Sequence, residues 1–191
     1  MPINTQKISM VKIDLTNIKD ISMVRKLSFD NDFYCLQIKH IMYWEDQDSL
    51  GIMIIKYNDA PIGFVVYNWR TSNGYIFENF GGMETWGVPD TGKRAITSAS
   101  GNYPSVWVEM MMVDKKFQNL GIGKYVLNNL GYIFRKELGN HIKFIVFDID
   151  NGKNNVNKER QIKFYKRNGC RFLCINRADN GMYVMNANNI R

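Results

Sequence analysis

One segment near the middle of the chain constrains the fold more than any other. An apolar run predicts a strand over Ser105–Val113, and apolar residues at helical spacing predict a helix over 120–138. The turn between them reads Q-N-L-G-I-G. Its glycines let the backbone approach a ligand closely, and the first amides of a helix carry partial positive charge. The segment therefore predicts an anion-binding site, with a plain tight turn as the alternative.

Two better-known phosphate-binding motifs do not fit this turn. A P-loop needs a glycine five residues before Gly-Lys and a Ser or Thr after it, but Gln118 and Tyr125 stand at those positions. A dinucleotide-binding fingerprint needs a small residue where Val126 stands. A nucleoside-triphosphate or NAD site is therefore disfavoured.

The rest of the pattern predicts further strands and helices on both sides of this segment. Strands are predicted over 7–15, over 51–57 and 62–67 as a hairpin, and over 143–147, 170–176 and 181–186. Helices are predicted over 16–27, from Asp30 or Asn31 to about 48, and over 157–167, ending at Asn168-Gly169. The stretch 69–104 holds a short strand near 75–80 or is a functional insertion. We expect a single domain over 1–191 with an α/β or α+β fold, a mixed sheet and helices on both faces.

Composition and charge narrow the class of protein. The chain carries a formal net charge of +7, distributed unevenly. Residues 1–113 hold 10 basic and 12 acidic side chains, whereas residues 114–191 hold 15 and 6. With three Cys and two His, neither a disulfide framework nor a zinc site is expected. No signal peptide or membrane-spanning run is apparent, so we expect a cytoplasmic protein without a membrane partner.

Two motifs together resemble the GNAT superfamily of acyl-CoA-dependent N-acetyltransferases. The first is the Q/R-x-x-G-x-G/A turn, matched by Gln118, Gly121 and Gly123. The second is the run N-K-E-R-Q-I-K-F-Y-K-R-N-G-C-R-F over 157–172. The resemblance looks closest to diamine and polyamine acetyltransferases, although Lys115 stands where Pro is common. It implies a mixed, mostly antiparallel sheet that splays between its fourth and fifth strands.

The resemblance implies acetyl-CoA as cosubstrate and no metal. The pantetheine arm would pair with main-chain groups of the strand, the pyrophosphate would bind amides of the turn, and a lysine would add charge. The residues implied in these contacts are Met111, Val113, Gln118, Asn119, Leu120, Gly121, Ile122, Gly123, Lys124 and Asn157.

The resemblance also implies two catalytic side chains. Glu109 interrupts an apolar strand and would act as general base toward the amine, directly or through water; the alternative is a carboxylate at the solvent or paired with a lysine. Tyr165 would protonate or hydrogen-bond the leaving thiolate, and the alternative is a core tyrosine beside Phe164. Cys170 and Cys174 are interpreted as strand residues, so no covalent enzyme intermediate is expected.

Carboxylates interleaved with aromatic residues favour a cationic acceptor, through ion pairs and cation–π contacts. Glu45, Asp46 and Trp86 are the candidate substrate-binding residues, with an ordinary solvated helix face as the alternative. The expected substrate is a small amine such as a polyamine or an amine-bearing antibiotic. A protein N-terminus or lysine is the alternative acceptor, and an acyl-CoA sensor or basic nucleic-acid-binding module is the alternative class. We expect no nucleic-acid partner for the enzyme, and a homodimer is compatible with the resemblance.

Overall fold

The computed structural model describes residues 3–31, 50–69, 105–139, 142, 144–149, 157–175 and 181–188. The strands are β1 (Ile8–Lys12), β2 (Leu50–Tyr57), β3 (Ala60–Trp69), β4 (Ser105–Val113), β5 (Phe144–Ile149), β6 (Arg171–Ile175) and β7 (Gly181–Asn186). The helices are α1 (Ile18–Asp30), α2 (Ile122–Leu138) and α3 (Lys158–Arg167), with short 3-10 helices at Thr5–Lys7 and Lys115–Phe117.

The described strands form a seven-stranded sheet in the order β1-β2-β3-β4-β5-β7-β6. Strands β4 and β5 pair in parallel over Ser105–Val108, whereas β1–β2, β2–β3, β5–β7 and β6–β7 pair antiparallel. The predicted mixed, mostly antiparallel sheet is therefore confirmed. The chain divides into two compact units, one of Met1–Asn68 with Glu109–Val126 and one of Trp69–Val108 with Leu127–Arg191. The predicted splay between β4 and β5 and the single domain stay predictions.

In the first unit, α1 packs on one face of β2, β3 and the second half of β4. Every third or fourth residue of α1 is buried, as the helical spacing of Ile21, Val24 and Leu27 requires. These side chains share a core with alternate residues of the strands, among them Met110 and Met112. The methionine-rich run of β4 thus contributes to the core through two of its side chains.

The turn of the β2–β3 hairpin follows from its sequence. Asn58 and Asp59 both have positive φ, 48° and 65°, which suits the right-handed twist of the flanking strands. Asn and Asp tolerate this conformation better than other residues with a Cβ. The predicted hairpin is confirmed, with each strand slightly longer than expected.

The second unit contains most of α2, together with α3 and the sheet strands β5, β6 and β7. The apolar stripe of α2 buries Leu127, Leu130 and Phe134, and a Cβ on Gly131 would overlap the carbonyl oxygen of Ala187. The glycine therefore lets α2 approach the chain after β7 closely. Among the helices in the described ranges, none has the length and apolar character that crossing a membrane requires.

The observed bounds correct several predictions. The first helix runs over Ile18–Asp30 rather than 16–27, because the Asn17 side chain accepts a hydrogen bond from the Lys19 amide and caps it. Asn31, predicted as a possible N-cap of a second helix, instead forms the C-cap of α1. The rest of that helix and the strand near 75–80 lie outside the described residues. Strands β4 and β7 have the predicted bounds, and α2 begins at Ile122 rather than 120.

Candidate functional site

The candidate site is built around the β4–α2 turn, residues 114–121. Several contacts hold the first residues of this turn in place. The Asp114 amide donates to the Ile62 carbonyl at 2.7 Å, and the Asp114 side chain accepts from the Lys116 amide at 2.9 Å. The Phe117 ring lies 6.1 Å from that of Tyr57 on β2. Backbone pairing, a side-chain cap and an aromatic contact thus fix the path of the chain as it leaves β4.

A long-range hydrogen bond adds a further support. The buried side chain of Asn31 accepts from the Lys115 amide at 2.8 Å and donates to the Leu27 carbonyl at 2.9 Å. It therefore joins the end of α1 to the turn. Sequence analysis missed this role, since the two residues are 84 positions apart and no local pattern relates them.

The main-chain groups of β4 alternate in direction, as in any strand. The Asp114 amide faces β3, so the main-chain groups of Met112 face β3 as well, and a Cβ on Gly63 would overlap the Met112 carbonyl oxygen. Those of Met111 and Val113 consequently face away from β3. The Gln118 side chain donates to the Val113 carbonyl at 2.9 Å, which ties the turn back to the strand.

The last residues of the turn adopt left-handed conformations before α2 begins. Asn119 has φ 63° and Gly121 has φ 89°. The Gly121 carbonyl accepts from the Tyr125 amide at 3.0 Å, which starts the helix. A Cβ built on Gly121 would meet nothing within 4 Å. The backbone conformation and the open space are those expected of a cradle for a ligand.

The electrostatics of this end of α2 favour an anion. The amides of Ile122, Gly123 and Lys124 occupy the first turn, where helical geometry leaves them without an acceptor inside the helix. The first turn of α2 carries no acidic side chain. The exposed Lys115, Lys116 and Lys124 add positive charge close by in the sequence. The geometry fits a pyrophosphate, because successive amides and cations are what phosphate oxygens bind.

Glu109 lies on β4 in the first unit. From Glu109 to Val113, successive side chains of the strand point to opposite faces of the sheet. Met110 and Met112 are buried against α1, so Glu109, Met111 and Val113 project from the opposite face and are half-buried. The Oε1 atom of Glu109 is buried. A partly buried carboxylate on this face has the chemistry of a proton acceptor, and its catalytic role stays a prediction.

Tyr165 lies on α3 in the second unit and is half-buried within an aromatic cluster. Its ring centroid is 4.9 Å from Phe147 and 6.2 Å from Tyr183, where the rings are nearly parallel at 20°. Its neighbour Phe164 lies 5.4 Å away, edge to face. The packing predicted by the alternative interpretation is present, and it orients the ring.

Other predicted residues are placed as follows. Asn157 is exposed just before α3, and its carbonyl accepts from the Gln161 amide at 2.9 Å. Leu120 is 38% exposed at the tip of the turn. Glu45, Asp46 and Trp86 lie outside the described residues. No cluster of His, Cys, Asp and Glu that could hold a metal ion occurs in the part of the chain that the structure describes.

Cys170 is buried, and burial raises the pKa of its thiol to about 12. In the C35S/C174S variant, we expect iodoacetamide at pH 8 to label Cys170 about 10³-fold more slowly in the folded than in the unfolded protein, because the thiolate fraction is lower by about that factor. Stability should fall as pH rises from about 9 toward 12, because the thiol ionises there only in the unfolded chain. Mass spectrometry and denaturation across that pH range measure both effects. Equally fast labelling of the folded and the unfolded protein at pH 8 would contradict the interpretation of Cys170 as an unreactive, buried thiol.

Comparisons with known proteins identify the family and the fold. The model of the acetyltransferase (GNAT) family matches residues 20–170. A GNAT family acetyltransferase from Elizabethkingia anophelis with acetyl-CoA bound has 16% identity and a TM-score of 0.55, covering 94% of this chain and 98% of that one. Arabidopsis thaliana Naa50 in complex with the bisubstrate analogue CoA-Ac-MVNAL has 16% identity and a TM-score of 0.51, with 94% and 98% covered.

AtaTR bound with AcCoA has 15% identity and a TM-score of 0.57, covering 97% of this chain and 96% of that one. At these identities the structural likeness shows a shared fold. No curated protein sequence matches the chain.

Proposed function

The chain belongs to the GNAT family of acetyltransferases, and on that premise we propose that it transfers an acetyl group from acetyl-CoA directly to a primary amine of a small cationic acceptor. The observation that carries the proposal is the β4–α2 turn. Its Gly121 is held at φ 89° beside open space, and it leads into the amides that begin α2. Acetyl-CoA, when bound, supplies an activated thioester and a pyrophosphate by which it is held.

Binding would use main-chain groups on either side of the turn. The amides of Ile122 and Gly123 would hold the pyrophosphate, with Lys124 adding charge. The outward-facing main chain of Met111 and Val113 would hydrogen-bond the amides of the pantetheine arm, as an added strand would. Since Gln118 already donates to the Val113 carbonyl, we expect the Val113 amide and the Met111 carbonyl to make these contacts.

Glu109 would prepare the acceptor for attack. An aliphatic amine with a pKa near 10 is mostly protonated at pH 7, and an ammonium has no lone pair for the thioester carbonyl. The carboxylate would take up that proton, directly or through a water, while the half-buried setting limits competition from bulk solvent. The departing proton is then held on Glu109 until it passes to solvent.

Tyr165 would stabilise the departing sulfur. In Tyr165→Phe the ring contacts with Phe147 and Tyr183 remain and only the hydroxyl is lost. We expect kcat to fall about tenfold, the equivalent of one hydrogen bond to a developing thiolate, with the Kd for CoA within about twofold. Steady-state kinetics and calorimetry measure the two quantities. An equal loss in kcat and in affinity for CoA would contradict a role of the Tyr165 hydroxyl in stabilising the departing sulfur.

The acceptor class rests on the charge distribution, since the acidic excess lies in residues 1–113 and the basic excess in residues 114–191. A protein N-terminus or lysine is the alternative acceptor, which the structure of Naa50 in complex with the bisubstrate analogue CoA-Ac-MVNAL supports. A non-catalytic acyl-CoA sensor is the alternative of another class, and a basic nucleic-acid-binding module is a further one.

The test is a screen of the purified chain with acetyl-CoA against polyamines, aminoglycosides, lysine peptides and peptides with free N-termini. Release of free thiol is followed, and CoA binding is measured in parallel by calorimetry. The proposal expects turnover above background with at least one small polycationic amine. Turnover with peptides alone would favour the alternative acceptor, and CoA binding without any turnover would favour a sensor. Salt-dependent binding to RNA or DNA without CoA binding would favour the nucleic-acid-binding module.

A further inference from the structure

The support that Asn31 gives to the β4–α2 turn differs from an ordinary helix cap. Its side chain donates to the Leu27 carbonyl, four residues earlier, as a C-terminal cap does. The same side chain also accepts from the amide of Lys115, the second residue of the turn. Asn31 is 8% exposed, so its hydrogen bond to the Leu27 carbonyl is shielded from water, and its hydrogen bond with the Lys115 amide is partly buried.

We propose that Asn31 is a positioning residue for acetyl-CoA binding, which holds the β4–α2 turn in the conformation that directs its amides at the pyrophosphate. The inference rests on the proposed function, since it concerns the same binding site. Asn31 lies on α1 and would act through Lys115, the residue at which the turn leaves β4 and its pairing with β3.

The hydrogen bond depends on the main-chain donor of Lys115, which proline at this position would lack. Asp114, just before it, has φ −49° and ψ 135°, a conformation that a following proline favours. Lys115 is also the first residue of a 3-10 helix, where proline fits well. Proline at 115 would therefore suit this backbone, but it removes the donor and places its ring Cδ where the amide hydrogen meets Asn31 Oδ1, so the Asn31 side chain must move.

A double-mutant cycle tests whether Asn31 and Lys115 affect CoA binding through the hydrogen bond between them. The variants are Asn31→Ala, Lys115→Pro and the two combined, with the Kd for CoA measured by calorimetry and folding checked by circular dichroism. We expect Asn31→Ala to raise the Kd about tenfold and Lys115→Pro to raise it by at least as much, because the proline ring also displaces the Asn31 side chain. The double variant should show no further loss beyond Lys115→Pro, because the hydrogen bond is already absent there. Additive losses in the double variant, or an Asn31→Ala Kd within about twofold of wild type, would overturn the inference.

Matched controls separate positioning from stability. Lys115→Ala removes the same charge as the proline variant but keeps the amide donor, so the Kd for CoA in Lys115→Pro should exceed that in Lys115→Ala about tenfold. Asn168→Ala removes an equivalent cap at the end of α3, where the Asn168 side chain donates to the Phe164 carbonyl at 2.8 Å. A similar loss of affinity in Asn168→Ala would overturn the inference.

Kinetics with a truncated substrate provide a readout that loss of stability would not move. S-acetylpantetheine lacks the pyrophosphate, so its kcat/KM should be the same in Asn31→Ala and wild type, whereas the KM for acetyl-CoA rises. If Asn31→Ala fails to fold, Lys115→Pro against Lys115→Ala carries the test alone. Wild type that does not bind CoA would overturn the proposed function, whereas unchanged binding in a folded Lys115→Pro overturns only the positioning role.

Discussion

Replacing Glu109 with Gln is expected to lower kcat about 10³-fold with a cationic amine acceptor at pH 7, with the Kd for CoA within about twofold. The amide has nearly the shape of the carboxylate, so the half-buried position on β4 and the packing of Met110 against α1 are retained. What the variant lacks is a group that can accept a proton. Rapid-quench and steady-state kinetics with the acceptor found in the screen measure the loss.

The acceptor itself supplies the sharpest control for Glu109. An amine of low pKa, such as an alkoxyamine, is already neutral at pH 7 and needs no general base before it attacks. The loss in Glu109→Gln should therefore shrink to about tenfold or less with such an acceptor. Glu137→Gln, an exposed change on α2, should leave kcat unchanged with both acceptors. The same 10³-fold loss with both kinds of amine would assign Glu109 to structure or acceptor binding.

Sequence reasoning located the elements whose signal is local. Strand β4 has the predicted bounds because a mostly apolar run, interrupted only by Glu109, suits a strand in the middle of a sheet. Helix α3 ends where Asn168-Gly169 predicted, with Gly169 at φ 87°. The turn motif was found for the same reason, since glycine spacing and the helix that follows are adjacent in sequence.

The features that were missed depend on contacts distant in sequence. Nothing near Asn31 indicates that its side chain meets the Lys115 amide, and its residue type suited an N-cap equally well. Likewise, the close approach of Gly131 to Ala187 depends on how α2 lies against the end of β7. Sequence patterns predict which face of an element is buried, and the partner is set by tertiary structure.

The second large effect is expected at Gly121, where substitution by Ala should weaken CoA binding about 10²-fold. At φ 89° a Cβ is strained by about 1–2 kcal/mol, and the chain can relieve that strain by rotating the peptide planes next to it. Rotation would turn away amides that bind the pyrophosphate, each worth about 1.5–3 kcal/mol as a hydrogen bond to a charged group. Calorimetry with CoA measures the loss directly.

The fold supplies a matched control for Gly121. Gly169 has nearly the same φ, 87°, and a Cβ there would also meet nothing within 4 Å, yet it lies after α3 rather than in the turn. Gly169→Ala and Gly121→Ala should therefore lose similar stability in denaturant unfolding, and only Gly121→Ala should lose CoA affinity. S-acetylpantetheine, which has no pyrophosphate, should be used equally well by both. If the two variants bind CoA alike, backbone strain alone explains Gly121, and the pyrophosphate must be held by another part of the chain.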